Sequence, residues 1–366
     1  MIIKNGLVFD ESGQFVKRDL IIDSNHKIAE VPEEGDNEVI DAEGLYVLPG
    51  LVDVHVHGAV GYDFCDANGE GLASIAAYFK SCGITSFCPT SMTLPIDELK
   101  KIFSSIHEVP ASAEYANVAG IHMEGPFIAE GKKGAQKADY ICTPSIDTFN
   151  ELNAACDNNI RIITIAPEAE GSMEFIEALH DTTSISLGHT EATYDIADKA
   201  YKAGANHATH LFNAMPPFLH RDPGVIGAAA DNAHAMVEII CDGIHIHPSV
   251  IRTVFKIYGD DRVVLISDSM RATGMEDGVY ELGGQDVYKN GNRATLADGT
   301  LAGSATNLYD CMRNAVSFGI PLESAIKAAT INPAKSASLD NVGSLAVGKE
   351  ADVILVDKDL NLKKVL

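Results

Sequence analysis

Eight short apolar runs alternating with amphipathic stretches fill the middle of this chain, and that alternation limits the fold more sharply than any other feature. The runs are Leu51–Val56, Ile84–Cys88, Val118–Met123, Ile160–Ala166, Ser184–Leu187, Asn206–Thr209, Met236–Cys241 and Val263–Ser267. Helical patterns lie between them at Gly71–Cys82, Ile96–His107, Ser145–Asp157, Met173–His180, Ala192–Ala203 and Pro248–Tyr258, and follow the last run at Ala305–Phe318 and Leu322–Thr330. Strands alternating with helices over this length predict an α/β fold, a (β/α)8 TIM-like barrel. A doubly wound sheet is the competing architecture, but the Gly-x-Gly-x-x-Gly turn of its nucleotide-binding forms is absent. Gly283–Thr300, rich in Gly, Asn and Asp, reads as an inserted hairpin or loop.

The two ends have another texture. Ile2–Phe9, Asp19–Asp23, Lys27–Val31 and Glu38–Asp41 read as short strands separated by turns, and Asp352–Val356 returns to a buried-strand pattern. Both ends are expected to pair into a small β-sandwich, with Leu360–Leu366 a final strand. The expected domains are 1–48 together with 341–366, and a catalytic barrel over 49–340. A length of 366 residues suits one large barrel plus a smaller unit.

Composition excludes several classes. A net charge of −25 repels nucleic acid and anionic membranes, although a local basic pocket still admits a small anionic substrate. No apolar run approaches the ~20 residues of a membrane span. The start, Met1-Ile2-Ile3-Lys4-Asn5-Gly6, lacks the pattern of a signal peptide. The 7 cysteines are scattered without a Cys-x-x-Cys pair, as expected of reduced cysteines in a cytoplasmic protein.

In a barrel, chemistry sits at the carboxyl ends of the strands. The first run ends Asp53-Val54-His55-Val56-His57. Alternate residues share a face of a strand, so His55 and His57 point together into the barrel. Such a pair suits one divalent ion, or is simply two satisfied histidines. Glu124 follows the third run and precedes Gly125-Pro126, a metal ligand or an ion-paired structural glutamate. His122, on the same side, is an outer partner or a packed core histidine. His189 follows the fifth run and His210 the sixth, while His207 falls earlier in its strand and reads as structural. Asp268 ends the eighth run, the natural place for a general base beside an activated water. Jointly, His, His, Glu, His, His and Asp closing five strands point to a metal-dependent hydrolase.

These motifs resemble the amidohydrolase superfamily and, within it, the family of N-acetylglucosamine-6-phosphate deacetylases. The resemblance rests on Pro49-Gly50-Leu51-Val52-Asp53-Val54-His55-Val56-His57-Gly58, His122-Met123-Glu124-Gly125-Pro126-Phe127, Leu187-Gly188-His189-Thr190, Thr209-His210-Leu211-Phe212-Asn213-Ala214-Met215, Asp242-Gly243-Ile244-His245 and Ser267-Asp268-Ser269-Met270, and it covers essentially the whole chain. It implies that Glu124, His189 and His210 hold the principal metal, that His55 and His57 hold a second where one binds, and that Asp268 is the catalytic acid/base. The ion implied is zinc, iron, manganese or cobalt, one or two per subunit.

Substrate contacts are implied at Asn213 and Ala214, at Arg221 and His245 around a phosphate, and at Leu301, Ala302 and Gly303. Arg221 reads equally as a surface partner of Asp222. Where some members carry a histidine this chain has Gly134-Ala135-Gln136; Ala135 and Gln136 are expected at the substrate, Gln136 by hydrogen bonding a sugar hydroxyl or acetyl oxygen. The implied reaction releases acetate from N-acetylglucosamine 6-phosphate, and the implied assembly is a homodimer sharing the phosphate pocket. The galactosamine epimer, another amide hydrolase and a non-catalytic barrel are the alternatives.

Overall fold

The computed structural model describes residues 1–35 and 37–366. The apolar runs become parallel strands at Leu51–Val56, Ile84–Ser91, Ile121–Glu124, Ile160–Ile165, Ser184–Leu187, His207–Ala208, Met236–Ile240 and Val263–Ile266. Each pairs in parallel with the next in chain order. Every residue of the first two is buried, as parallel strands covered on both faces must be. The ring closes between the eighth strand and the first. Val56 and Ser269 form a parallel bridge, Asp268 N–H donates to the His55 carbonyl at 3.0 Å, and His57 N–H donates to the Ser269 carbonyl at 2.8 Å. Closure thus takes place at the carboxyl ends and draws Asp268 against the His55–His57 pair.

Some of the helices on the outside start where the sequence offers a cap. Asn68 accepts from the Glu70 and Gly71 N–H groups ahead of Gly69–Ser81, Ser145 caps Ile146–Ala155, and Asn307 caps Leu308–Ser317. Two helices lie outside the predicted set, Gly224–Asp231 and Ile331–Ser336. The sixth strand is shorter than its apolar run. No described helix is long and apolar enough to cross a membrane.

The chain ends meet. Val353–Val356 pairs antiparallel with Tyr46–Pro49 inside a sheet that also holds Leu7–Phe9, Phe15–Lys17 and Leu362–Val365. A second sheet joins Ile28–Ala29, Leu20–Ile22, Ile2–Lys4 and Val39–Asp41. Ile3, Leu20 and Ile22 of one sheet pack with Val8, Val47, Val353 and Leu355 of the other in a single apolar cluster. The predicted strand Ile2–Phe9 is two strands, broken at Asn5, whose φ is +65°.

The predicted hairpin begins earlier than Gly283. Gly278–Leu282, Gln285–Asn290 and Arg293–Thr295 form an antiparallel sheet. Its Leu282, Val287 and Ala294 pack on Met92, Ala135 and Met270. This lays the insert over the carboxyl mouth of the barrel.

Candidate active site

At that mouth the predicted histidines and acids converge, all buried. Glu124 Oε1 lies 3.0 Å from His210 Nε2, 3.2 Å from His189 Nε2 and 3.4 Å from His55 Nε2. Its Oε2 is 3.4 Å from His57 Nε2. Asp268 Oδ1 is 3.3 Å from His57 Nε2 and 3.6 Å from His55 Nε2. His189, His210 and Asp268 stand just past their strands with φ of +46°, +27° and +49°. Left-handed backbone at non-glycine residues costs about 1–3 kcal/mol each and concentrates at functional sites. Here it coincides with residues whose side chains converge.

The outer contacts fix which ring nitrogen faces inward. His55 Nδ1 meets Glu238 Oε2 at 3.0 Å, His57 Nδ1 the Thr90 carbonyl at 3.2 Å and His189 Nδ1 the Lys132 carbonyl at 2.8 Å. Each partner only accepts, so Nδ1 carries the proton and a neutral ring turns its Nε2 lone pair inward. Those lone pairs face carboxylate oxygens, and His55 Nε2 is buried without a hydrogen-bond partner among the described residues. Acceptor against acceptor is repulsive unless positive charge lies between. Burial opposes charge on His55, yet Glu124, Glu238 and Asp268 prevail and push its pKa up to about 10. Burial likewise opposes ionisation of Glu124 and Asp268, but the histidines hold Glu124 well below the usual range and Asp268 at about 2. The site therefore demands a cation or extra protons.

Its dimensions suit a cation. Nitrogen and oxygen ligands at ~2.0–2.1 Å around a tetrahedral ion stand about 3.3 Å apart, and the spacings here run from 3.0 to 3.6 Å. His55, Glu124 and His210 form one compact ligand group and His55, His57 and Asp268 another. The donor set, imidazole nitrogen and carboxylate oxygen, fits a divalent metal.

Known proteins point the same way. The family model described as "Amidohydrolase family" matches residues 46–366. The chain belongs to the amidohydrolase family. Relatives of this amidohydrolase include the N-acetylglucosamine-6-phosphate deacetylase of Bacillus subtilis, 37% identical over 366 residues covering 98% of this chain and 90% of the relative. The Bos taurus protein of the same name is 36% identical, covering 89% of this chain and 83% of its own. Among solved structures, a Mycobacterium smegmatis N-acetyl-D-glucosamine-6-phosphate deacetylase in complex with N-acetyl-D-glucosamine-6-phosphate matches with a TM-score of 0.90 at 31% identity, over 100% of this chain and 97% of that one. The Thermotoga maritima deacetylase matches with a TM-score of 0.89 at 30% identity, over 100% and 98%. Membership makes this chain a hydrolytic enzyme.

Above the cluster the amidohydrolase forms an open cavity of about 370 Å³. Of the residues expected at the substrate, Ala135, Gln136, Asn213, Ala214, His245, Leu301 and Gly303 line it. Ala302 does not, being 1% exposed in the cluster beneath the insert. Arg221 does not either: it lies exposed on its loop, donating to His220 Nε2 at 2.6 Å rather than pairing with Asp222. His245 is anchored by Nδ1 on Asp242 Oδ2 at 2.7 Å. Gln136 is committed within the protein, its Nε2 donating to Glu124 Oε2 at 2.8 Å and its Oε1 accepting from Thr93 N–H at 2.6 Å.

His122 and His207 are buried outside the ligand groups that face the cavity. His122 is wedged between the Val54 carbonyl and Thr164 Oγ1, and burial together with the charge on His55 lowers its pKa to about 3. Sequence reasoning passed over Glu238. The signal was there, a lone carboxylate inside the apolar run Met236-Val237-Glu238-Ile239-Ile240.

Proposed function

We propose that this amidohydrolase hydrolyses the acetamide of N-acetylglucosamine 6-phosphate, releasing acetate and glucosamine 6-phosphate. The observation that carries the reading is the convergence of Glu124, His189, His210, His57 and Asp268 in the floor of an open cavity, with His55 buried directly behind them. Full-length relatives bearing that activity in their names support the substrate.

Glu124, His189 and His210 would hold the principal ion, with His55 and His57 positioned for a second beside Asp268. Zinc, iron, manganese and cobalt all accept such donors. A divalent ion supplies Lewis acidity there, making water a nucleophile near neutral pH and polarising the amide carbonyl. Asp268, ionised and held against His57, takes the proton of the attacking water. It then delivers that proton to the sugar nitrogen, so that an amine leaves rather than an amide anion. The insert and the Leu301–Gly303 loop wall one side of the cavity and reduce the water that reaches the bond being cleaved.

The phosphate falls to His245 and Arg221. A guanidinium fork suits phosphate oxygens, and Arg221 lies outside its own chain's cavity. We therefore assign it to the pocket of a neighbouring subunit in a homodimer. Free cysteines throughout fit a reducing, cytoplasmic setting.

The test is acetate release from N-acetylated amino sugars with and without the 6-phosphate. Turnover should favour N-acetylglucosamine 6-phosphate, and Asp268→Asn should retain its metal yet lose nearly all activity. Wild-type-like turnover in that variant, or indifference to the phosphate, would overturn the reading.

A further inference from the structure

Glu238 lies in the middle of the seventh strand, fully buried, and takes no part in the steps above. Its Oε2 accepts two hydrogen bonds, from His55 Nδ1 at 3.0 Å and from the His210 backbone N–H at 3.0 Å. Those donors come from distant parts of the chain, the first strand and the turn after the sixth, and belong to neighbouring members of one ligand group. Its Oε1 has no hydrogen-bond partner among the described residues and faces His207 Nδ1 at 3.6 Å and His122 Nδ1 at 3.9 Å.

A carboxylate so far from water is expensive, and breaking one of its pairings costs more than the pairing itself is worth. Its neighbours do not discharge it. His122 has its two ring nitrogens taken by the Val54 carbonyl and Thr164 Oγ1, and burial keeps both His122 and His207 neutral. What remains is His55, which belongs to both compact ligand groups at the mouth and to a third, behind them, with His122 and Glu238 itself. An acceptor fixed behind an imidazole sets its tautomer, holds the plane of the ring and raises the basicity of the far nitrogen.

We propose that Glu238 is a positioning residue that presets His55 and the His210 turn as one unit, gripping the Nδ1–H of His55 so that Nε2 stays aimed between Glu124 and Asp268 and Nδ1 keeps its proton when an ion displaces the one on Nε2. This rests on reading the cluster as a metal site and is independent of which amide is cleaved.

The test is metal affinity, not turnover. Apoprotein is titrated with Zn²⁺ against a chromogenic chelator for the wild type, Glu238→Gln, His55→Asn and the double variant. Glu238→Gln keeps the size of the side chain but removes its charge. It should weaken Zn²⁺ binding roughly 10- to 100-fold, and most of that loss should vanish in the His55→Asn background. A folded Glu238→Gln protein that binds Zn²⁺ as the wild type does overturns the proposal, as does an undiminished loss without His55. Should Glu238→Gln fail to fold, nitrogen NMR of histidine-labelled wild type decides. Zn²⁺-loaded protein should show His55 protonated at Nδ1; a proton on Nε2 contradicts the assignment. A normal Zn²⁺ titration with no acetate release would defeat the deacetylase reading while leaving this one standing.

Discussion

Gln136 shows how much a single amide can do at such a site. Its Nε2 grips Glu124 Oε2 and its Oε1 caps the Thr93 N–H, so both ends serve the protein. The sequence led to an expectation of a sugar contact, because loop position and amide chemistry were visible while the partner was not. Truncation should leave Thr93 N–H and one Glu124 oxygen unmet. Gln136→Ala should therefore destabilise the apoprotein by about 1–3 kcal/mol in equilibrium denaturation; unchanged stability would show that water replaces the amide without loss. The ligands themselves were legible for a physical reason: residues that end strands on the inward face of a barrel must meet at its mouth. Glu238 was not, because its partner His55 on the first strand becomes a neighbour of the seventh only once the ring has closed.

Elements were legible where their periodicity was. The eight strands and the amphipathic helices followed from apolar spacing. Gly224–Asp231 has no polar face to mark it, since most of its residues are buried. Strand ends were set by geometry rather than by composition, as with the sixth, where the chain turns sharply at His210. The loop that follows the insert depends on one such turn. Gly303 has φ of +63°, and a Cβ there would sit 3.0 Å from the Asp268 carbonyl and 3.3 Å from Met270 Cβ. Gly303→Ala should lose about 1–2 kcal/mol from the backbone conformation alone and lower acetate release by shifting Asp268. Wild-type denaturation and turnover together would mean that the loop yields freely.

At the scale of the molecule, both ends of the chain build one sandwich while the barrel mouth carries the chemistry. The pairing of Val353–Val356 with Tyr46–Pro49 joins the N-terminal and C-terminal segments, a long-range contact that matching strand texture foreshadowed but register alone defines. Under the proposed shared pocket, the exposed Arg221 would complete the site of a neighbouring subunit. The proposed shared pocket predicts complementation: Arg221→Ala and Asp268→Asn, each impaired alone, should recover activity at low substrate after subunit exchange, because mixed dimers contain one intact site. Failure to recover with exchange verified would return Arg221 to its own chain or to the surface. Beneath this lies the claim that distant imidazoles and carboxylates share an ion. Anomalous X-ray diffraction at a metal edge, on crystals of metal-loaded protein, tests it most directly. A shared ion requires a peak about 2.0–2.2 Å from a Glu124 oxygen, His189 Nε2 and His210 Nε2; a fully loaded protein whose peaks all lie elsewhere rules it out.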